Sequence, residues 1–178
     1  AIVCKELGST LIHLSTDFVF DGSKNEPYLE DNIASPINLL GQICFEAEQE
    51  VSNVLEQRII IRTGRLFESI EDDFIRKIIN GIEISKSLEI ICDEKRCSTS
   101  VFEIARCISA VIDQLHAGAN NYGIYNFSSI NSASCFEIAE YLVKLKNLND
   151  SNIIPIEADL IECRASRPKE LAISSKKI

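Results

Sequence analysis

The sequence predicts an α/β protein with parallel strands, on three observations. Short apolar, β-branched runs alternate with segments of helical period along the whole chain. Two of the helical segments open on capping-box patterns, Ser100-Val-Phe-Glu103 and Ser134-Cys-Phe-Glu137. No repeat, low-complexity tract or linker interrupts the alternation. Strands that alternate with helices are laid side by side in one direction, with the helices crossing between them.

Each element has its own signal. "AIVCKELG" reads as the end of a helix stopped by Gly8, so the chain is expected to begin inside an element, as a fragment or with its first part missing. Thr10 to Ser15 reads as a buried strand. Thr16 to Ile37 reads as a long loop with turn signals at Asp21-Gly22, Pro27 and Pro36. A loop of that length is usually functional. Asn38 to Leu55 has helical spacing, with Leu39, Ile43, Ala47, Val51 and Leu55 as its apolar face. "RIIIRT", Arg58 to Thr63, is a second buried strand. Phe74 to Ile82 reads as a helix and "LEIIC", Leu88 to Cys92, as a strand.

The first capping box opens a helix with Val101, Ile104, Ala105, Ile108, Val111, Ile112 and Leu115 on its apolar face. "GIYNFSS" is a strand, the second box opens a helix to about Lys146, and "NIIPIE" is a last short strand. The tail from Arg164, "RASRPKELAISSKKI", reads as polar.

Composition bounds the function. The 178 residues are 46% apolar and 25% charged, enough for a core without metal or disulfide. The net charge of -9 argues against nucleic acid or an anionic membrane as main partner, since both need clustered Lys and Arg. No segment is apolar enough to span a bilayer and no signal peptide is present, so a cytoplasmic location is expected. Seven cysteines scattered through apolar patterns read as reduced thiols. Cys92 and Cys97 flank "DEKR" without a second pair or a nearby His, so no metal site is expected.

Ligands of open α/β sheets sit at the carboxyl ends of strands, where Ser15, Thr16 and Asp17 stand. The stretch "STDFVFDGSKNEPYLEDNIASPINLLGQICFEAEQEV" resembles the dTDP-4-dehydrorhamnose reductases, a branch of the extended short-chain dehydrogenase/reductases. The shared residues are Ser15 to Gly22 with Phe18 for a Tyr, then Pro27, Tyr28, Glu30, Asp31, Pro36, Asn38, Gly41 and Glu48. "IIIRTGRLF", "CSTSVFEIARCI" and "SRPKELAISSKKI" extend the likeness more weakly to nearly the whole chain. The resemblance implies a Rossmann-like, incomplete parallel sheet followed by a smaller C-terminal α/β substrate-binding region. Residues 1–66 would be the latter part of an NAD(P)-binding domain. Residues 67–178 would be mostly the sugar-nucleotide-binding region.

The same resemblance implies site residues. Thr16 would be the hydroxyl that orients the substrate carbonyl. Ser15, Arg62 and Thr63 would meet the cofactor, and Asp17, Phe18, Asn38 and Arg167 the substrate. The family's proton-transferring Tyr falls on Leu40, and its Lys, one helical turn later, on Cys44. A phenol needs a neighbouring positive charge to work as an acid or base near neutral pH. Leu cannot transfer a proton, and Cys cannot supply a fixed charge. Tyr28 lies too far along the loop to be assumed a substitute.

The family cofactor is NADP or NAD, held by a Gly-rich turn at a helix N-terminus. No such turn occurs in this sequence, so this chain alone is expected to bind neither. The implied ligand is a nucleotide sugar, and the implied partner a second copy or a regulatory partner. The resemblance leaves open an impaired reductase and a non-catalytic relative, such as the regulatory subunit of methionine adenosyltransferase. Plainer readings stand beside these: His13 as a packed strand residue, Glu30 and Asp31 as solvated loop charges, Cys44 as a packing residue, and Arg167 as a surface Arg.

Overall fold

The computed structural model describes residues 1–68, 73–84, 87–147, 152–161 and 165–178. In chain order these form α1 (Ile2–Leu7), β1 (Leu11–Thr16), α2 (Leu39–Val54), β2 (Arg58–Thr63), β3 (Arg65–Phe67), α3 (Asp73–Ile84) and β4 (Ser87–Ile91). They continue with β5 (Lys95–Ser100), α4 (Val101–His116), β6 (Gly123–Phe127), β7 (Ser132–Ser134), α5 (Cys135–Lys146), β8 (Asn152–Ile156) and β9 (Glu170–Leu171). Asp17–Val19 forms a 3₁₀ turn after β1.

β1, β2 and β6 make one parallel sheet in that order, with Leu14 beside Ile61 and Ile61 beside Tyr125. α2 crosses between β1 and β2, as the expected βαβ unit requires. β2 is buried on both faces, with Ile59, Ile60 and Ile61 in the core, as a central parallel strand must be. Ile104, Ile108, Val111 and Leu115 of α4 cover one face of this sheet. β6 belongs by sequence to residues 67–178 and by pairing to the first sheet, so the division at residue 66 does not separate the sheets.

A second sheet contains β3, β5, β7 and β9, with β5 parallel to β3 and β9 and antiparallel to β7. A parallel pair, β4 and β8, packs on α3 and α5 through Ile78, Ile79, Ile82, Ile90, Ala139 and Leu142. The sequence reading lacked β3, β5, β7 and β9. All but β5 are two or three residues long, and "KRCSTS" carries no apolar run.

Three readings need correction. The tail is not merely polar: Pro168, Leu171 and Ile173 are buried, and Leu171 and Ile173 pack with Phe18, Val19, Phe20 and Tyr28. The inner face of α2 is Gly41, Cys44, Phe45 and Glu48, while Leu39 and Ile43 are exposed. Only the second capping box closes. Ser134 Oγ accepts from Glu137 N while Glu137 accepts from Ser134 N. At α4, Ser100 accepts from Phe102 N, and Glu103 pairs with Arg106 instead.

Gly8 ends α1 in the left-handed conformation expected of a helix stop. No helix is long and apolar enough to cross a membrane among the described residues. Cys4, Cys44, Cys92, Cys97, Cys107 and Cys135 are free thiols. Cys163 and Arg164, the first residue of the tail, lie outside the described residues.

Candidate active site

The site grows from the carboxyl end of β1. The strand ends at Thr16, and the 3₁₀ turn that follows buries Asp17, Phe18 and Val19. α2 then approaches so closely that a Cβ on Gly41 would stand 2.1 Å from the Phe18 carbonyl oxygen. Gly41 is therefore a contact between helix and strand end. Asn38 caps the helix: its Oδ1 accepts from Gly41 N at 2.8 Å, and its Nδ2 donates to the Ser166 carbonyl at 2.9 Å. The cap thus ties the helix start to the tail, next to Arg167, which is exposed.

Two buried ion pairs organise the floor. Arg62 donates from Nη2 to Glu48 Oε2 at 2.7 Å and from Nε to Oε1 at 3.0 Å. Ser15 Oγ donates to the same carboxylate at 2.5 Å. All three side chains are buried, and the Arg62 guanidinium lies 5.1 Å from the Phe20 ring centre. Ser15 and Arg62 both turn their side chains onto Glu48. The physical reason is that a buried carboxylate must be paired and hydrogen-bonded. Thr63 is also buried, and its hydroxyl has no hydrogen-bond partner among the described residues.

The second pair joins the two sheets. Arg96 of β5 donates from Nε to Asp17 Oδ2 at 3.1 Å and from Nη2 to Oδ1. Its guanidinium stacks over the Phe18 ring at 4.0 Å. Burial pushes the Asp17 carboxyl above the ordinary range, against the pull of Arg96. Asp17 is fully buried with both oxygens bonded to Arg96, and Phe18 is buried in the core. Of the residues the sequence singled out, Thr16 is half-buried, with its Oγ1 3.1 Å from Asp17 Oδ1 and 3.3 Å from Phe18 N.

Leu40 is 55% exposed in the first turn of α2. Cys44 is half-buried against the core around Phe20, and burial and the nearby Glu48 push its thiol up. A thiol held protonated is neither a nucleophile nor a cation.

Tyr28 is buried and stacked on Phe20 at 4.3 Å. Its phenol donates to Asp21 at 2.6 Å and accepts from Ser23 N at 2.9 Å, so it is engaged within the loop. Glu30 is half-buried and accepts from Asn126 N at 2.9 Å, which corrects its reading as a solvated charge.

Sequence reasoning missed Arg96, and it named Glu48 as a shared residue without a role. Glu48 left a signal, a carboxylate on the inner face of a helix. Arg96 left none, because its strand was not legible.

Where the resemblance places a Lys beside the cofactor ribose, this chain has Cys44, a half-buried thiol that carries no positive charge. Among the described residues no group of three or more His, Cys, Asp or Glu could hold a metal.

Comparison with known proteins adds to this geometry. The model of the RmlD substrate binding domain matches residues 1–178. The chain is 29% identical over 170 residues to a dTDP-4-keto-6-deoxy-D-glucose reductase of Streptomyces niveus, covering 95% of this chain and 57% of that protein. It is 27% identical to methionine adenosyltransferase 2 subunit beta of Danio rerio, covering 100% of this chain and 56% of that one. A solved dTDP-4-dehydrorhamnose reductase from Bacillus anthracis in complex with NADP superposes with a TM-score of 0.85 at 26% identity, over 99% of this chain and 60% of that one. The chain thus spans a little over half the length of these relatives.

Proposed function

Because this chain belongs to the RmlD substrate binding domain family, we propose that it is the sugar-nucleotide-binding part of a dTDP-4-dehydrorhamnose reductase-like protein, and that it holds its ligand without exchanging a proton with it. The observation that carries the reading is the pair Leu40 and Cys44. An exposed aliphatic side chain and a half-buried thiol occupy the places of the family's acid and its cation. The strand end, the Asn38 cap and the Arg96–Asp17 pair keep the site's frame in place around them.

In this reading the chain binds no NADPH by itself, and the family's cofactor belongs to the part of the relatives that this chain does not span. Calorimetry tests both halves. Sugar nucleotide should bind, and NADPH should show no saturable binding up to about 1 mM, equivalent to roughly 4 kcal/mol. Micromolar NADPH binding would mean that the nucleotide uses residues other than those assigned.

A second reading is a regulatory subunit. It is favoured by the likeness to methionine adenosyltransferase 2 subunit beta over the full chain. Co-elution with a methionine adenosyltransferase catalytic subunit on size exclusion, with no sugar-nucleotide binding, would favour it over the first.

A further inference from the structure

The outer face of α2 is exposed along its length. At 3.6 residues per turn, Leu39, Ile43, Glu46 and Glu50 fall within about 60° of one another around the helix. They lie opposite the buried Gly41 and Glu48. All four are exposed, Leu39 at 70% and Ile43 at 55%. Ile37, also exposed, precedes the Asn38 cap and extends the apolar end. The face is therefore aliphatic where the helix starts and acidic toward its end.

Its charge is one-sided. From Asn25 to Gln57 the sequence contains no Lys, Arg or His. Glu48 and Glu30 of that stretch are engaged internally, with Arg62 and with Asn126 N. Glu26, Asp31, Glu46, Glu50 and Glu56 are exposed. Among the described residues neither Glu46 nor Glu50 has an ion-pair partner. A helix is favoured by acids in its first turn and bases in its last. α2 has neither, and Glu50 and Glu56 stand on either side of its last turn, at the negative end. The arrangement opposes the helix dipole, and cations supplied from outside would offset it.

We infer that the outer face of α2 docks a basic amphipathic helix of a partner protein, with the partner's apolar side on Leu39 and Ile43 and its Lys or Arg residues beside Glu46 and Glu50. A helix suits this face because its own i, i+4 rows present side chains at the same spacing. A second copy does not suit it, since a twofold contact sets the face against itself, and the face offers carboxylates and no cation. The inference does not depend on sugar-nucleotide binding, because the face lies on the far side of α2 from Glu48.

The test is fluorescence anisotropy with the whole chain and a labelled amphipathic helical peptide built of Leu and Lys. It should bind with a Kd of about 100 μM or tighter, and more weakly as salt is raised. A Leu and Glu peptide of the same pattern should not bind. Leu39→Ser with Ile43→Ser, and separately Glu46→Lys with Glu50→Lys, should each weaken binding at least about 10-fold. Glu6→Lys with Asp113→Lys makes the same change of net charge at exposed positions of α1 and α4, and should alter binding by less than about 2-fold. An equal loss in that control would reduce the effect to attraction by the net charge of -9, and overturns the proposal. Binding that survives either α2 variant overturns it, as does no binding to the unmodified chain. A dimer of the unmodified chain on size exclusion that Leu39→Ser with Ile43→Ser dissolves gives the face to a second copy and overturns it too. Should the Lys variant of α2 fail to fold, Glu46→Gln with Glu50→Gln decides in its place.

Discussion

Arg96 grips both carboxylate oxygens of Asp17 across 79 residues of sequence, and this pair joins the second sheet to the end of β1. Phe18, under the guanidinium, makes the contact apolar on one side and ionic on the other.

Removing one partner strands the other. Arg96→Ala should destabilise the chain by about 3–5 kcal/mol, because Asp17 is left as an uncompensated buried charge. The double change Asp17→Leu with Arg96→Leu should cost clearly less than the single change. Urea denaturation measures both. A double variant less stable than Arg96→Ala would show that the pair itself stabilises the fold strongly.

Gly41 admits no side chain without movement. Its added Cβ would lie 2.1 Å from the Phe18 carbonyl oxygen and 2.9 Å from Pro36 Cβ. Gly41→Ala should therefore cost at least about 1–3 kcal/mol although Ala is the better helix former. Gly81→Ala is the useful contrast, since its nearest neighbours are the flexible Leu88 side-chain tips. An unchanged melting temperature in Gly41→Ala would refute the close approach.

Acid should expose the loop. The Tyr28 phenol and the Ser23 amide hold the Asp21 carboxyl below the ordinary aspartate range. A carboxyl lowered in the folded state gives stability that is present above the unfolded value, about 4, and lost as pH falls through the folded one. Asp21→Asn should therefore lower the melting temperature at pH 7, and the gap to the unmodified chain should close as pH falls below about 4. Asp17, raised by burial, contributes with the opposite sign: its contribution favours the fold toward acid and is lost as pH rises through its raised value. A gap that widens in acid would contradict the Asp21 assignment.

Restoring the chemistry needs two residues. In a chimera that joins this chain to the cofactor-binding part of a reductase relative, Leu40→Tyr with Cys44→Lys should raise reduction of dTDP-4-dehydrorhamnose at least about 100-fold. Either single change should recover little, since acid and cation act as a unit. NADPH consumption reads the rate. A chimera that turns over at about 1 to 10³ per second without either change would place the proton donor elsewhere.

The βαβ order was legible because β1 and β2 are buried runs that announce themselves by composition, and α2 is long enough to show its period. The site motif was legible as a pattern, from Ser15 to Gly22 and on to Glu48, and with it the substitutions at Leu40 and Cys44. What those side chains do was not legible. Ser15 and Arg62 looked like ligand contacts and are engaged with Glu48, because a carboxylate buried beneath the strand end must be paired.

The sequence by itself determined the order of the longer elements, β1, α2, β2, α3, β4, α4, β6, α5 and β8, the family likeness, and Leu40 and Cys44 at the places of the family's Tyr and Lys. Each rests on local composition or on spacing along the chain. Only the tertiary structure decided that Arg96 reaches Asp17, that Glu48 meets Ser15 and Arg62, and that the tail packs Leu171 and Ile173 under the loop. Those depend on contacts between residues far apart in sequence, which leave no period to read.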